Sequence, residues 1–372
     1  MGELVIRGVD KIYRSRKAPV HAVKAFNLIV KPGEIVALLG SSGCGKTSTL
    51  RMIAGFEDVS NGTITLDGKA IHTLAPAQRG VAMAFDAYSL YPPLTKAENI
   101  AFALKSSKLP AAEQQTRVKA MAEMLEISGI LNRYPSSVSG GQRQRASLGR
   151  ALVRNAGLYL LDEPMGQLEP QLRAILRGRI KHYLREHKCT TILVTHDQTE
   201  ANALADRIAV MEGGELQQYA TPAELKAKPA NLFTGTFIGE PPMNVFNAAV
   251  TLNGKDISFG LGNGMALSYA TAEPSGAVRD LPSKTRAVAI GIRPHALHVG
   301  QGPIKGKIIS CQWLGDQTHE AVEVDGQTVV SVAHERVKLE PGSEVSLGVA
   351  AADLHLFDAE TGQAIAHDGS LA

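Results

Sequence analysis

The sequence predicts an α/β domain on a mostly parallel sheet, interrupted by a helical insert and followed by a small all-β barrel. Three observations carry this expectation. Short apolar runs alternate with helical patterns up to about Phe237, the arrangement of a sheet covered on both faces. Residues 98 to about 134 hold no convincing strand. After Asn244 the helical periodicity stops, and short β-like runs separated by turn dipeptides take over.

In the first part, strands are expected at 35–39, 81–85, 158–161, 191–195 and 208–211. Residues 111–125 read as an amphipathic helix within the insert. Residues 170–184 read as another, with Leu172, Ile175, Leu176, Ile180, Tyr183 and Leu184 on one face. In the second part, runs at 287–292, 304–309, 328–332 and 344–349 alternate with Asn253-Gly254, Asn263-Gly264, Asp325-Gly326 and Pro341-Gly342. Domains are therefore expected at 1–237, with a helical subdomain at about 98–150, and at 238–372. A loose tail is expected from about Gln363.

The chemistry begins at Gly40-Ser41-Ser42-Gly43-Cys44-Gly45-Lys46-Thr47, which fits the phosphate-binding loop G-x-x-x-x-G-K-[ST]. It lies between an expected strand and an expected helix. Glycines let the backbone wrap an anion with its N–H groups, and the helix N-terminus adds positive potential. Lys46 would reach the outer phosphates and the Thr47 hydroxyl would ligate Mg²⁺. Further along, an apolar strand ends in Asp162-Glu163. Asp162 at a strand tip beside the loop suits Mg²⁺, and Glu163 is then placed to orient and deprotonate water. Ser139-Gly140-Gly141-Gln142 opens a helical pattern, with Ser139 as N-cap and the glycines permitting a second approach to an anion.

Composition narrows the partners. Charged residues make up 20% and hydrophobic ones 44%, as in soluble globular proteins. A net charge of +3 and 5% aromatics argue against nucleic acid as a ligand. The three cysteines, Cys44, Cys189 and Cys311, are widely spaced and fit a reducing compartment. Cys44, inside the loop, is a candidate for alkylation. The N-terminus has no signal-peptide pattern, and no apolar run approaches the roughly 18 residues that span a bilayer. His295, His298, His319, His334 and His355 lack ligand-like spacing and read as surface or loop residues.

Taken together, these residues resemble the ATPase subunits of ABC transporters over about 3–237. The motifs occur in the family's order: phosphate loop, Ser139–Gln142 signature, Asp162-Glu163, and His196 in Thr195-His196-Asp197. The resemblance implies ATP and Mg²⁺ as ligands, with Ser48 among the nucleotide contacts and Thr47 and Asp162 at the metal. It implies Tyr13 stacking on adenine and His196 touching the γ-phosphate. It also implies a second ATPase chain, with the signature facing the neighbour's nucleotide, and two transmembrane permease subunits. Residues 237–244 and Gly291-Ile292-Arg293-Pro294-His295 look like the maltose-importer branch, where the usual acid after the Arg-Pro pair is His295 here. That branch adds an oligonucleotide/oligosaccharide-binding-type (TOBE-type) barrel. It takes up sugars, polyols or glycerol phosphates with an extracytoplasmic binding protein, and its ATPase sits on the cytoplasmic face of the inner membrane. The stretch 88–94 and the helical insert are then expected to receive a coupling helix of the permeases.

Two places depart from that pattern. The family normally has glutamine at position 86, where this chain has Asp86, which as a carboxylate accepts but cannot donate. It is retained as a candidate nucleotide and metal contact. The turn after the acid pair is Gly166-Gln167-Leu168-Glu169, where the family tends to show Ser-x-Leu-Asp. These departures lead to the expectation of an asymmetric heterodimer with a sister ATPase, against ordinary drift with full activity. The alternative function is an ATP-binding regulatory subunit with weak hydrolysis. An ABC-type protein of DNA repair or translation is disfavoured by the absence of a long coiled-coil insertion or tandem cassette.

Overall fold

Loop geometry and sheet order in the first unit follow from where apolar runs can be buried on both faces. The computed structural model describes residues 2–14, 18–85, 90–105, 107, 109–253, 256–270 and 287–367, so Asp86, Tyr88 and Ser89 lie outside the described residues. The chain divides into two compact units, Met1–Pro222 and Ala223–Ala372.

The first unit opens with β1 (Leu4–Tyr13), β2 (Val20–Val30), β3 (Ile35–Gly40), α1 (Lys46–Ala54), β4 (Asn61–Leu66), β5 (Lys69–Ala70) and β6 (Val81–Ala84). The insert contributes α2 (Lys96–Phe102), α3 (Ala111–Met124) and α4 (Gly140–Leu152). It closes with β7 (Leu158–Asp162), α5 (Pro170–Glu186), β8 (Thr191–Val194), α6 (Gln198–Leu204), β9 (Arg207–Glu212) and β10 (Glu215–Ala220).

The expected parallel sheet is present, in the order β10-β9-β3-β8-β7-β6, with only β10 antiparallel to its neighbour. Every residue of β3 and β8 is buried, which is why these strands read as continuous apolar runs. A second sheet, in the order β2-β1-β4-β5, is antiparallel and was not legible in the sequence. Register shifts along the β1–β2 pairing break the strict alternation that marks a half-buried strand. Phe26, Leu50, Ile53, Leu160 and Val194 share one core, so the two sheets pack around α1. The face expected on α5 is narrower than the sequence suggested. Leu176, Ile180 and Leu184 are buried, but Ile175 is 49% exposed.

Helix α1 is bounded by two glycines that no other residue replaces without strain. Gly45 has φ +101° and Gly55 has φ +89°. A Cβ on Gly45 would lie 2.4 Å from Ala22 O, and one on Gly55 would lie 2.6 Å from Arg79 Nε. The Gly55 and Phe56 N–H groups both return to Arg51 O, a left-handed C-terminal cap. Arg79 closes this end. Its guanidinium is 5% exposed and donates to Leu74 O (2.8 Å), Met52 O (2.6 Å), Ile53 O (3.1 Å) and His72 O (3.0 Å). It thereby satisfies carbonyls of the last helical turn and sets a positive charge at the negative end of the helix dipole.

The second unit begins with α7 (Pro222–Ala227) and α8 (Leu232–Phe237). Its strands are β11 (Asn244–Asn253), β12 (Asp256–Gly262), β13 (Met265–Ala270), β14 (Ala287–Ile292), β15 (His298–Trp313), β16 (Thr318–Val324), β17 (Gln327–Ala333), β18 (Glu344–Gly348), β19 (Leu354–Asp358) and β20 (Ala364–Ala366). They form two antiparallel sheets, β13-β12-β11-β14-β19-β20 and β17-β16-β15-β18, around one apolar core.

Three expectations shift here. The division expected after Phe237 falls later than Pro222, because α8 is tied to the β unit. Leu232 N–H donates to Gly362 O at 2.7 Å, and Arg293 donates to Gly235 O at 2.8 Å. The tail expected from Gln363 instead pairs as β20 against β19. His355, read as a surface residue, lies in β19 at 4% exposure with its Nδ1 3.1 Å from His367 Nδ1.

Arg79→Met should lower the unfolding free energy of the chain by about 3 kcal/mol, because several buried carbonyls lose their donor at once. Denaturant titration measures this, and Arg79→Lys should recover little because an ammonium cannot reproduce the fork.

Candidate nucleotide-binding site

Strand register brings the sequence motifs together. β8 lies between β3 and β7, with Val194 opposite Leu38 on one side and Asp162 on the other. The phosphate loop after β3, Thr195-His196 after β8 and Glu163 after β7 therefore leave the sheet at its carboxyl edge, where open α/β sheets hold ligands.

In the loop, the Lys46 ammonium donates to Gly40 O and Ser41 O, both at 2.8 Å, and lies 3.6 Å from Cys44 Sγ. Ser41 Oγ donates to the Glu212 carboxylate. Ser42 and Gly43 are exposed at the tip, while Thr47 and Ser48 are half-buried at the start of α1. Cys44 is 2% exposed, so the thiol singled out for alkylation is covered by its own loop. Tyr13 OH is 3.1 Å from Ser48 Oγ, and Lys11 Nζ sits 4.8 Å from the centre of the Tyr13 ring. The sequence thus brings Tyr13 to the phosphate-loop helix, with a cation over its ring.

Glu163 has φ +43°, uncommon for a residue with a side chain and costing on the order of 1–3 kcal/mol. Neighbours hold it there. Its N–H donates to Val194 O at 2.9 Å, and its carbonyl accepts from Gln144 Nε2 at 2.6 Å and from Gly166 N at 3.3 Å. The carboxylate Oε1 meets His196 Nδ1 at 3.0 Å. Glu163 and His196, far apart in sequence, therefore form one exposed pair.

Gln144 is 2% exposed and was missed by the sequence reading. It also accepts from Gln167 N at 2.9 Å, so one amide ties the Glu163 backbone to the following turn. The available signal was a polar side chain on the buried stripe of α4 that includes Ser147, Leu148 and Ala151. At the start of that helix, Gln142 N–H donates to Ser139 Oγ (3.3 Å) and Ser139 N–H donates to Gln142 Oε1 (3.1 Å). This is the expected N-cap, here in the form of a capping box. The Gly140-Gly141 turn packs directly on Gln167. A Cβ at Gly140 would lie 2.5 Å from Gln167 Oε1, and one at Gly141 would lie 2.9 Å from Gln167 O.

Behind His196, Thr195 Oγ1 donates to Glu200 Oε2 at 2.7 Å and accepts from Asp197 N at 3.0 Å. Arg173 pairs with Asp197 Oδ2 at 3.0 Å. Glu200 is 2% exposed, and burial pushes its carboxyl up to about 7.

The donor chemistry suits Mg²⁺. Among the described residues no group of three His, Cys, Asp or Glu side chains could hold a metal. One hydroxyl, Thr47, and one carboxylate, Asp162, are what a Mg²⁺ that keeps waters and phosphate oxygens requires. Elsewhere in this unit, Tyr91 and Phe102 are 44% and 37% exposed, with ring centres 4.7 Å apart. They line a groove of about 380 Å³ with Arg150 and Arg154.

Comparison with known proteins fits this geometry. The ABC transporter family matches residues 23–166, and the TOBE domain family matches residues 290–357. Over 98% of its length the chain is 39% identical to the sn-glycerol-3-phosphate import ATP-binding protein UgpC of Cereibacter sphaeroides, covering 99% of that protein. The chain belongs to the ABC transporter ATP-binding subunits. It is also similar to the trehalose/maltose import ATP-binding protein MalK of Thermococcus litoralis, with 41% identity over 93% of this chain and 96% of that one. Among solved structures it resembles a dimeric ATP-binding cassette in a post-hydrolysis state bound to ADP and Pi. The TM-score is 0.55 at 27% identity, covering 59% of this chain and 98% of that chain. The chain is thus an ABC transporter ATPase followed by a β-rich TOBE domain, and among the described residues no helix is long and apolar enough to cross a membrane.

Two outcomes follow for this ABC subunit. Gln144→Ala should lower kcat for ATP hydrolysis by about 10- to 100-fold through misplacement of Glu163, with little change in KM, as steady-state kinetics would show. Glu200 is protonated more readily in the fold than its ordinary value of 4.5 allows. Stability should therefore fall as pH rises from about 4.5 to about 7 and then level off. Glu200→Gln should remove that slope and stabilise the chain at pH 8 by about 2–3 kcal/mol, read from denaturant midpoints across pH.

Proposed function

We propose that this chain energises an importer of a carbohydrate-class solute: a sugar, polyol, glycerol or glycerol phosphate. Support comes from the near full-length likeness to import ATP-binding proteins for glycerol phosphate and for trehalose/maltose. The observation that carries the hydrolytic reading is the Glu163–His196 pair at 3.0 Å, at the same sheet edge as the phosphate loop.

In this reading the loop amides of Gly40 to Ser48 wrap the phosphates, and Lys46 exchanges its carbonyl partners for phosphate oxygens. Tyr13 takes the adenine. Thr47 and Asp162 would hold Mg²⁺, with Asp86 as the third candidate, and the ion would supply charge neutralisation between phosphates. Glu163 orients a water and takes its proton, and His196 steadies that carboxylate and contacts the terminal phosphate. Ser139, Gly140, Gly141 and Gln142 serve the nucleotide of a second ATPase chain. The reaction is driven by positioning and electrostatics, with no covalent intermediate on the protein.

Two permease subunits would hold the chain at the cytoplasmic face of the inner membrane, docking in the Tyr91–Phe102 groove. An extracytoplasmic binding protein would deliver the solute. Glu163→Gln should reduce ATP turnover at least about 100-fold while ATP binding persists. Ordinary turnover by that variant would refute Glu163 as the base.

The second ATPase is proposed to be a non-identical sister. A Cβ at Gly166 would meet Glu163 Oε2 at 3.5 Å, so the serine usual in the family fits sterically, and its absence removes a hydroxyl beside the carboxylate. The isolated chain should hydrolyse ATP poorly, and Asp86→Gln with Gly166→Ser should raise turnover. Full activity of the isolated chain, unchanged by those substitutions, would contradict the asymmetric arrangement.

A further inference from the structure

The phosphate loop is tethered by an acid to which the hydrolytic reaction gives no role. Ser41 Oγ donates to the carboxylate of Glu212, the last residue of β9. The carbonyl of the same serine accepts from the Lys46 ammonium at 2.8 Å and from Cys44 N–H at 3.3 Å. Ser41 thus stands between an acid and the loop lysine. The residue before it has no room to shift. Gly40 pairs with Met211 in the parallel sheet, and a Cβ there would lie 2.1 Å from Met211 O. The turn after Glu212 is tied down as well. Gly214 has φ +87°, and its carbonyl accepts from Lys24 N–H at 2.8 Å. The Lys24 ammonium pairs with Glu215 at 3.1 Å. Among the described residues no cation forms an ion pair with Glu212.

We infer that Glu212 is a positioning residue of the nucleotide site, and that its charge sets the preference of the loop between nucleotides with longer and shorter phosphate chains. The inference rests on the reading of Gly40 to Ser48 as the cradle of the phosphates. Through Ser41, Glu212 holds the loop in shape before a nucleotide arrives, which lowers the cost of ordering it on binding. As an anion with no paired cation, it also opposes the phosphate chain that Lys46 is placed to receive. That opposition grows with the charge of the ligand, so it weighs more on a triphosphate than on a diphosphate.

The two effects come apart by substitution. Glu212→Gln keeps an acceptor oxygen for the Ser41 hydroxyl and removes the charge. Ser41→Ala removes the tether and leaves the charge in place. Ser41 and Glu212 are both half-buried, and neither belongs to the apolar core around α1. Each change therefore leaves that core intact.

The test is calorimetric titration of the full chain and of these two variants with ATP and with ADP, without Mg²⁺ so that no hydrolysis intervenes. Glu212→Gln should bind ATP about fivefold more tightly than the parent chain, and ADP only about twofold more tightly. Ser41→Ala should bind both nucleotides about threefold more weakly. In about 1 M NaCl, where charges are screened beyond about 3 Å, the gain of Glu212→Gln should shrink while the loss in Ser41→Ala persists. A purely structural role for Glu212 would give neither the dependence on ligand charge nor the dependence on salt. ATP affinity in Glu212→Gln equal to or below that of the parent, a gain no larger for ATP than for ADP, or unchanged binding in Ser41→Ala would overturn this inference alone. A parent chain that binds neither nucleotide would overturn the phosphate-loop reading together with it.

Discussion

The position of β8 between β3 and β7 is the constraint from which the site follows. Parallel register puts Leu38, Val194 and Asp162 in one row, so each strand releases its chain at the same edge. One strand delivers the phosphate loop, one delivers His196 and one delivers Glu163. None of the three needs a long excursion, and the apolar interiors of β3 and β8 hold the register because slippage would expose buried side chains. The convergence of these groups at one edge is in this sense a by-product of core burial.

A second layer of polar contacts refines that geometry. Glu163 sits at a positive φ, and its backbone is satisfied from both sides by Val194 and Gln144. Gln144 also binds the turn at Gln167, against which the Gly140-Gly141 turn packs. A single buried amide therefore couples the acid's backbone to the helix that opens with Ser139. Movement at the signature helix has a short, hydrogen-bonded route to Glu163. The buried Glu200 carboxyl does comparable work behind His196 by fixing the Thr195 hydroxyl.

Much of this was legible in the sequence, for physical reasons. The parallel strands announced themselves because strands buried on both faces must be apolar throughout. The loop, the signature and the acid pair were visible because phosphate binding restricts residue type at fixed spacing. Other features were hidden. The antiparallel sheet was masked by the bulges of β1. Helix α8 belongs with the β unit through contacts to Arg293 and Gly362 that no local pattern reveals. Gln144 looked like one more polar helix residue, and only its burial exposes its role. His355 and His367 meet through strand pairing, which sequence spacing cannot encode.

The central claim is that Lys46, Glu163 and His196 converge on one triphosphate. Its most direct test is a structure of the chain with Mg²⁺ and a non-hydrolysable ATP analogue. The account predicts the terminal phosphate against Lys46 Nζ, with Glu163 and His196 beside it. A structure in which Lys46 keeps Gly40 O and Ser41 O as partners, while the nucleotide lies away from this sheet edge, would contradict it.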